Sequence, residues 1–335
     1  MAITTFTIGR RTTSDVWDVR ELVAGDVVWT TDLNYSAGSL EFDVIEVDEG
    51  FTPHNGDIVK FYWDNVQLFY GFVFDFKYTN EKFSVIAYDK LRYLKNQDSL
   101  VWPVSTLSQR FNKVATMASI SHRVVNGSNH KLAAEVADGK SYFDMLQSAI
   151  EITEQATGSL YFVMANYDKV ELRKAPYKAL TLVVGDKSLM TKFDYERSIE
   201  DAANVVRIVR SDDTTGGEKT ATASSATTTK LTIATSGSKH SIDNWGRLQY
   251  VEQAKDKSNF AQMKTQAEQL LKVKNKQTTT LKLTVIGDPS LVAGNAVYLR
   301  VQSLKDIGLG TKSLLITKAT HHFNADYTAE IEMKV

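Results

Sequence analysis

Residues 56–76 read GDIVKFYWDNVQLFYGFVFDF. Two runs rich in β-branched and aromatic residues, 58–63 and 66–76, flank Asp64-Asn65. Such runs suit a pleated surface, and the polar pair suits a short hairpin turn. Gly71, inside the second run, marks a bulge or bend of the kind that curls a sheet. The same signal extends outward. Residues 4–8 and 40–45 alternate apolar with polar, and 82–88 read as a further strand. Residues 89–96 suit one or two helical turns with Leu91 and Leu94 on one face. Antiparallel strands at hairpin spacing predict a small barrel or sandwich over residues 1–99.

After Pro103 the period changes. Ser105 is a candidate N-cap, and Leu107, Phe111, Val114 and Ala118 keep helical spacing. Ser141 and Asp144 resemble a capping box ahead of the stripe Phe143, Leu146, Ile150 and Thr153, which Gly158 stops. Strands at 160–164 and 170–173 complete a small α/β middle domain over 100–185. Strand 180–184 either closes that domain or returns to the first barrel. From 186 onward the chain reads as β again, with a single helix over 258–273. Residues 214–229, seven of them Thr, predict an exposed loop with little to bury. The expected class is mainly β with α+β character: two antiparallel β-barrel domains, 1–99 and 186–335, around the middle domain.

The 335 residues include no cysteine, which excludes a disulfide framework, Cys-based zinc sites, iron–sulfur ligation and thiol catalysis. Thirty-nine basic and 40 acidic side chains give a net charge of −1, which argues against a nucleic-acid binder working by bulk charge. No apolar run approaches the roughly 20 residues of a membrane span. The opening stretch MAITTFTIGRR lacks a secretory pattern, so assembly in the cytoplasm is expected. The charge is uneven. Residues 15–82 hold fourteen acidic and four basic side chains, whereas 255–282 hold seven lysines against Asp256 and Glu268. Such asymmetry fits either a solvated acidic face or docking of acidic part to basic part between copies.

The chain shows no phosphate loop, no nucleophile elbow and no HExxH. His321 and His322 are adjacent, and on a strand they point to opposite faces. His54, His122, His130 and His240 lack ligand spacing. Residues 43–50 are acidic without the spacing of a calcium loop. No catalytic, cofactor-binding or metal-ligating residue is therefore singled out, and no cofactor is expected. The aromatics at 61–74 lie on alternating strands, which favours core packing over a sugar-binding or base-stacking surface.

Six segments, in order along the chain, resemble one family: the baseplate hub proteins of contractile phage tails and phage-tail-like particles, in their XkdQ/YqbQ-type branch. They are GDIVKFYWDNVQLFYGFVFDF (56–76) with Gly71; AYDKLRYLKN (87–96) with Tyr88, Asp89, Tyr93 and Leu94; YERSIEDAANVVRIV (195–209) with Asn204; SIDNWGRLQYVEQ (241–253) with Gly246; TVIGDPSLVAGNAVYLRV (284–301) with Gly287 and Gly294; and ITKATHHFNADYTAEIEM (316–333) with His321 and Tyr327. One departure stands out, Trp245 where the family often has Tyr.

The resemblance implies two tail-tube-like barrels per chain and a homotrimer that presents a pseudo-sixfold ring. Such a ring joins the sixfold tail tube, or a tube-initiator protein, to the threefold central spike. The hub part of type VI secretion spikes is similar. LysM-type adaptor, wedge and tape-measure proteins are the further partners it implies, in the baseplate of a virion or a tail-like particle. It implies a structural, non-enzymatic role with no specific nucleic-acid binding. Glu46, Asp48 and Glu49 become candidates for a channel lining that repels DNA, or for a contact with a neighbouring copy. The alternatives are a cell-wall hydrolase using two carboxylates and a carbohydrate-binding tail module.

Overall fold

Asp64 and Asn65 both adopt positive φ, 47° and 62°, so strands Ile58–Trp63 and Val66–Tyr78 join through the tight turn whose twist matches a hairpin. One register shift falls between Phe61 and Tyr62, and a second between Val73 and Asp75 within the pairing with Lys82–Asp89. Gly71 sits where a Cβ would overlap both the Phe69 ring and the Tyr88 carbonyl oxygen, which is why the strand carries glycine there. The computed structural model containing this hairpin describes residues 2–46, 51–212, 230–254 and 259–335. The stretch 214–229 lies outside the described residues, as do Asp48 and Glu49.

The chain divides into two units, Met1–Asp194 with Leu281–Val335, and Tyr195–Thr280. In the first unit the sheet runs from Thr328–Lys334 through Lys312–Phe323, Val27–Asp32, Ser39–Ile45, Lys82–Asp89, Val66–Tyr78, Ile58–Trp63 and Ile3–Gly9 to Val16–Asp18. This order corrects the expectation of barrels: the path is open and, among the described residues, no barrel closes. Strands from the two ends of the chain share one sheet, with Thr320 opposite Thr30 and His321 opposite Trp29. Alternation along a strand reveals which face is buried but not which strand lies alongside, so this pairing was not readable. One face buries Phe6, Phe42, Phe61, Phe69, Phe83 and Phe323 in a continuous core.

A second core in this unit lies under helices Leu107–Met117 and Tyr142–Thr157. Both helices start with capping boxes, Thr106 with Gln109 and Ser141 with Asp144. The first cap is one residue later than expected. Ser105 instead turns its hydroxyl to the buried Arg110, whose Nε donates at 3.1 Å. Gly158 ends the second helix with φ 68°. Strand Ala179–Gly185 pairs in parallel with Ala296–Arg300, a branch of the sheet that also holds strands Ile3–Gly9 to Lys82–Asp89.

In the second unit, Val205–Asp212 lies between Lys230–Gly237 and Gln249–Gln253. Helix Phe260–Lys274, capped by Asn259 and Gln262, covers one face through Met263 and Ala267 against Val206, Ile208 and Ala234. The single expected helix is thus present, and it packs on a three-stranded sheet. A short helix, Lys239–Trp245, is additional.

Candidate functional site

The residues picked out by the family pattern assemble as joints at strand ends and turns. Asp89, 6% exposed, ends its strand and caps the short 3-10 helix Lys90–Lys95. Its Oδ1 accepts from the Leu91 amide at 2.8 Å and its Oδ2 from the Gly38 amide at 2.9 Å. Burial pushes its carboxyl up to about 7 against those two hydrogen bonds. Leu94 on the helix enters the second core, and Tyr93 meets Phe72 and Phe74 with centroids 5.6 and 5.9 Å apart. Tyr88 lies opposite Phe72. Four of the picked residues therefore lock one strand end. Asp89→Asn leaves one buried amide without an acceptor, and about 1–3 kcal/mol of stability is expected to go. Urea unfolding of the variant checks this, and a loss below about 0.5 kcal/mol would contradict the double-acceptor role.

His321 and Tyr327 form the second joint. The histidine is fully buried. Its Nε2 lies 3.1 Å from the Leu291 carbonyl, which can only accept, so Nε2 carries the proton. Nδ1 then accepts from the Tyr327 hydroxyl at 2.9 Å. The imidazole stacks on Trp29, with centroids 5.0 Å apart. Burial lowers the histidine to about 4 and raises the Tyr327 phenol. Gly287 belongs to the same joint: its amide donates to the Tyr327 carbonyl at 2.9 Å, and a Cβ would overlap the Tyr327 ring. Gly294, at φ +92°, faces the Phe162 ring in the same way.

The third joint lies in the second unit. Asn204 is fully buried; its Nδ2 donates to the Gly246 carbonyl at 2.6 Å and its Oδ1 accepts from the Leu248 amide at 2.8 Å. Gly246 closes helix Lys239–Trp245 at φ 75°. Of the acidic candidates, Glu46 is half-buried and accepts from the Tyr78 hydroxyl; Asp48 and Glu49 are outside the described residues.

Sequence reasoning missed a buried charge cluster on strand Lys169–Lys174. Glu171 has no exposed surface and accepts from Arg173 Nε at 2.8 Å, from Asn166 at 3.1 Å and from Arg123. Burial alone would raise this carboxyl; the bonds from Asn166 and Arg173 outweigh it and hold it below the usual range. The only signal in the sequence is a Glu and an Arg two apart, hence on one strand face. Beside it opens a cleft of about 470 Å³ whose walls include Trp29, Tyr167, Arg173, Asp288 and Asn295. Asp288 is the one carboxylate among the described residues lining it. Among the described residues, no group of three His, Cys, Asp or Glu is placed to hold a metal ion, and no helix is long and apolar enough to cross a membrane.

Comparison with known proteins identifies what these joints belong to. A YQBQ-like family model matches residues 27–334. The chain belongs to the YQBQ-like family. It is 29% identical to the uncharacterized protein YqbQ of Bacillus subtilis over 280 residues, covering 82% of this chain and 79% of that protein. It is 28% identical to XkdQ, a protein of the phage-like element PBSX of the same organism, over 75% of this chain and 74% of that one. In three dimensions it is similar to the 43 kDa tail protein of prophage MuSo2 from Shewanella oneidensis, with a TM-score of 0.66, 10% identity and coverage of 98% and 97%. It is also similar to an E. coli component of the type VI secretion system, itself described as similar to T4 tail proteins gp27 and gp5. That match has a TM-score of 0.54, 10% identity and coverage of 93% and 74%. At such identities the two structures show a shared fold. The YQBQ-like chain is a mainly β protein that shares the fold of phage tail proteins.

Proposed function

We propose that this YQBQ-like chain is a baseplate hub, a structural and non-enzymatic ring component of a contractile tail. Three copies form a pseudo-sixfold ring that joins the sixfold tail tube to the threefold central spike. Residues 1–99 and 186–335 supply the two tube-like parts of each copy, and 100–185 supply the decoration between them. The observation that carries this reading is the match of a tail-protein fold over 98% of the chain, combined with the shared fold of a type VI secretion component. The sequence relative from a phage-like element points the same way. Burial agrees: the family-pattern residues are spent on holding strand ends and turns, which suits a part that must keep its shape under load.

The reading is tested in the producing strain. Particles made without the chain are expected to lack the central spike and an organised baseplate by electron microscopy, and the intact gene supplied in trans restores both. Complete, spike-bearing tails made without the chain would overturn it.

A further inference from the structure

On the long strand Val66–Tyr78, Tyr70, Phe72 and Phe74 point away from the core that takes Phe69 and Val73. Each of these three rings carries a cation. Lys90 Nζ lies 5.0 Å from the Tyr70 centroid, and the Arg11 and Arg92 guanidinium carbons lie 5.1 Å from those of Phe72 and Phe74. The rings themselves are neighbours: the Tyr70 and Phe72 centroids lie 5.9 Å apart, and Phe72 and Phe74 both meet Tyr93. Among the described residues, none of the three has a carboxylate within ion-pair distance. Lys90 is tied to Ser121 Oγ at 2.8 Å and to the Asp168 carbonyl at 2.6 Å. Arg11 is exposed and Arg92 half-buried, and a cleft of about 290 Å³ opens beside Arg11 and Lys90.

A ring face holds a cation in place and, at Arg11 and Arg92, leaves the outer side open to an anion; Lys90, its Nζ held by Ser121 and Asp168, adds charge beside them. Nucleic acid fits this row poorly. Binding of single strands relies on stacking bases on open aromatic faces, and here those faces are taken by the cations, with Phe72 only 6% exposed. Carboxylates on a protein surface fit better, and the same unit carries them. A shallow hollow of about 380 Å³ is lined by Asp26, Glu41, Asp43 and Asp75, with Lys77 as the only lysine or arginine. Lys82 pairs with Asp43, and His322 lies 3.8 Å from Asp26; Glu41 and Asp75 have no ion pair among the described residues. Basic row and acidic hollow carry opposite charge, the complementarity a contact between copies requires.

We infer that the row Arg11, Lys90 and Arg92 docks the acidic hollow around Glu41 and Asp75 of a second copy of this chain. The inference rests on the oligomeric reading above and gives it a specific interface. The test is the mass of the full chain by light scattering over a concentration series, at low and high salt. R11E/R92E is expected to raise the concentration needed for association at least tenfold, and the fourfold swap R11E/R92E/E41K/D75K to restore it. Circular dichroism establishes that each variant is folded, and R11Q/R92Q serves as the milder second variant. A wild-type oligomer that R11E/R92E leaves unchanged overturns the docking but not the ring. Loss without recovery in the swap overturns the pairing with the hollow. A wild type that is monomeric at every concentration, both alone and with the spike protein of the same particle, overturns both. A dT oligonucleotide that binds wild type but not R11E/R92E, with the oligomer unchanged, assigns the row to nucleic acid instead.

Discussion

Glu171→Gln is expected to cost about 3–5 kcal/mol of stability, the scale seen when one partner of a buried ion pair is removed. Glu171 has no exposed surface and Arg173 retains 7% of its side-chain exposure. The amide keeps an acceptor for one donor but leaves the Arg173 guanidinium buried without its counter-charge. The pair itself contributes much less than its breakage costs, because desolvation offsets most of the attraction. Glu171→Leu combined with Arg173→Met should therefore recover most of the loss. Urea unfolding of the single and double variants reads both effects. A single-variant loss below about 1 kcal/mol, or a double variant no better than the single, would contradict this account of the cluster.

The second large effect is a dependence on pH carried by His321. Its folded value of about 4 lies below the ordinary 6.5, so the unfolded chain takes up the proton first as pH falls. The contribution of the neutral, doubly bonded imidazole is complete above about pH 6.5 and is lost progressively down to about pH 4. The shift corresponds to on the order of 3 kcal/mol. Asp89 works in the opposite direction. Its folded carboxyl, raised to about 7 from 3.8, takes up its proton before the unfolded one, so its contribution fades as pH rises through that window. The two trends oppose each other in the wild type, so the informative quantity is a difference between variants. His321→Gln keeps a donor for the Leu291 carbonyl and cannot titrate. The stability advantage of the wild type over this variant should shrink by on the order of 3 kcal/mol between pH 7 and pH 4. Asp288 and His322 are the ionisable neighbours of the imidazole, and both remain in the variant. An advantage that does not change with pH would show that His321 is not held neutral by burial.

How much of this was legible in the sequence follows from which interactions are local. The 56–76 hairpin, the helix starting at Ser141 and its stop at Gly158 are decided by residues within a few positions of each other. The cap at Thr106 rather than Ser105 shows the limit of that locality: both hydroxyls suit a cap, and a buried Arg110 from the next turn claims one of them. The joints were legible as positions and not as contacts. Asp89, His321 and Gly287 stand in recognisable motifs, yet the Gly38 amide, Trp29 and the Tyr327 ring that give them purpose lie 51, 292 and 40 residues away along the chain. Nothing in the period of strand 312–323 announces strand 27–32 as its neighbour. Expecting two separate β-barrel domains followed from treating each run of strands as self-contained.

The central claim is a ring of three copies, and the measurement that tests it most directly is the mass of the purified chain, alone and with the spike protein of the same particle. The account predicts a species of about three times 37.5 kDa, either alone or once the spike is added and its mass subtracted. A chain that remains a monomer in both conditions and binds no spike would contradict it.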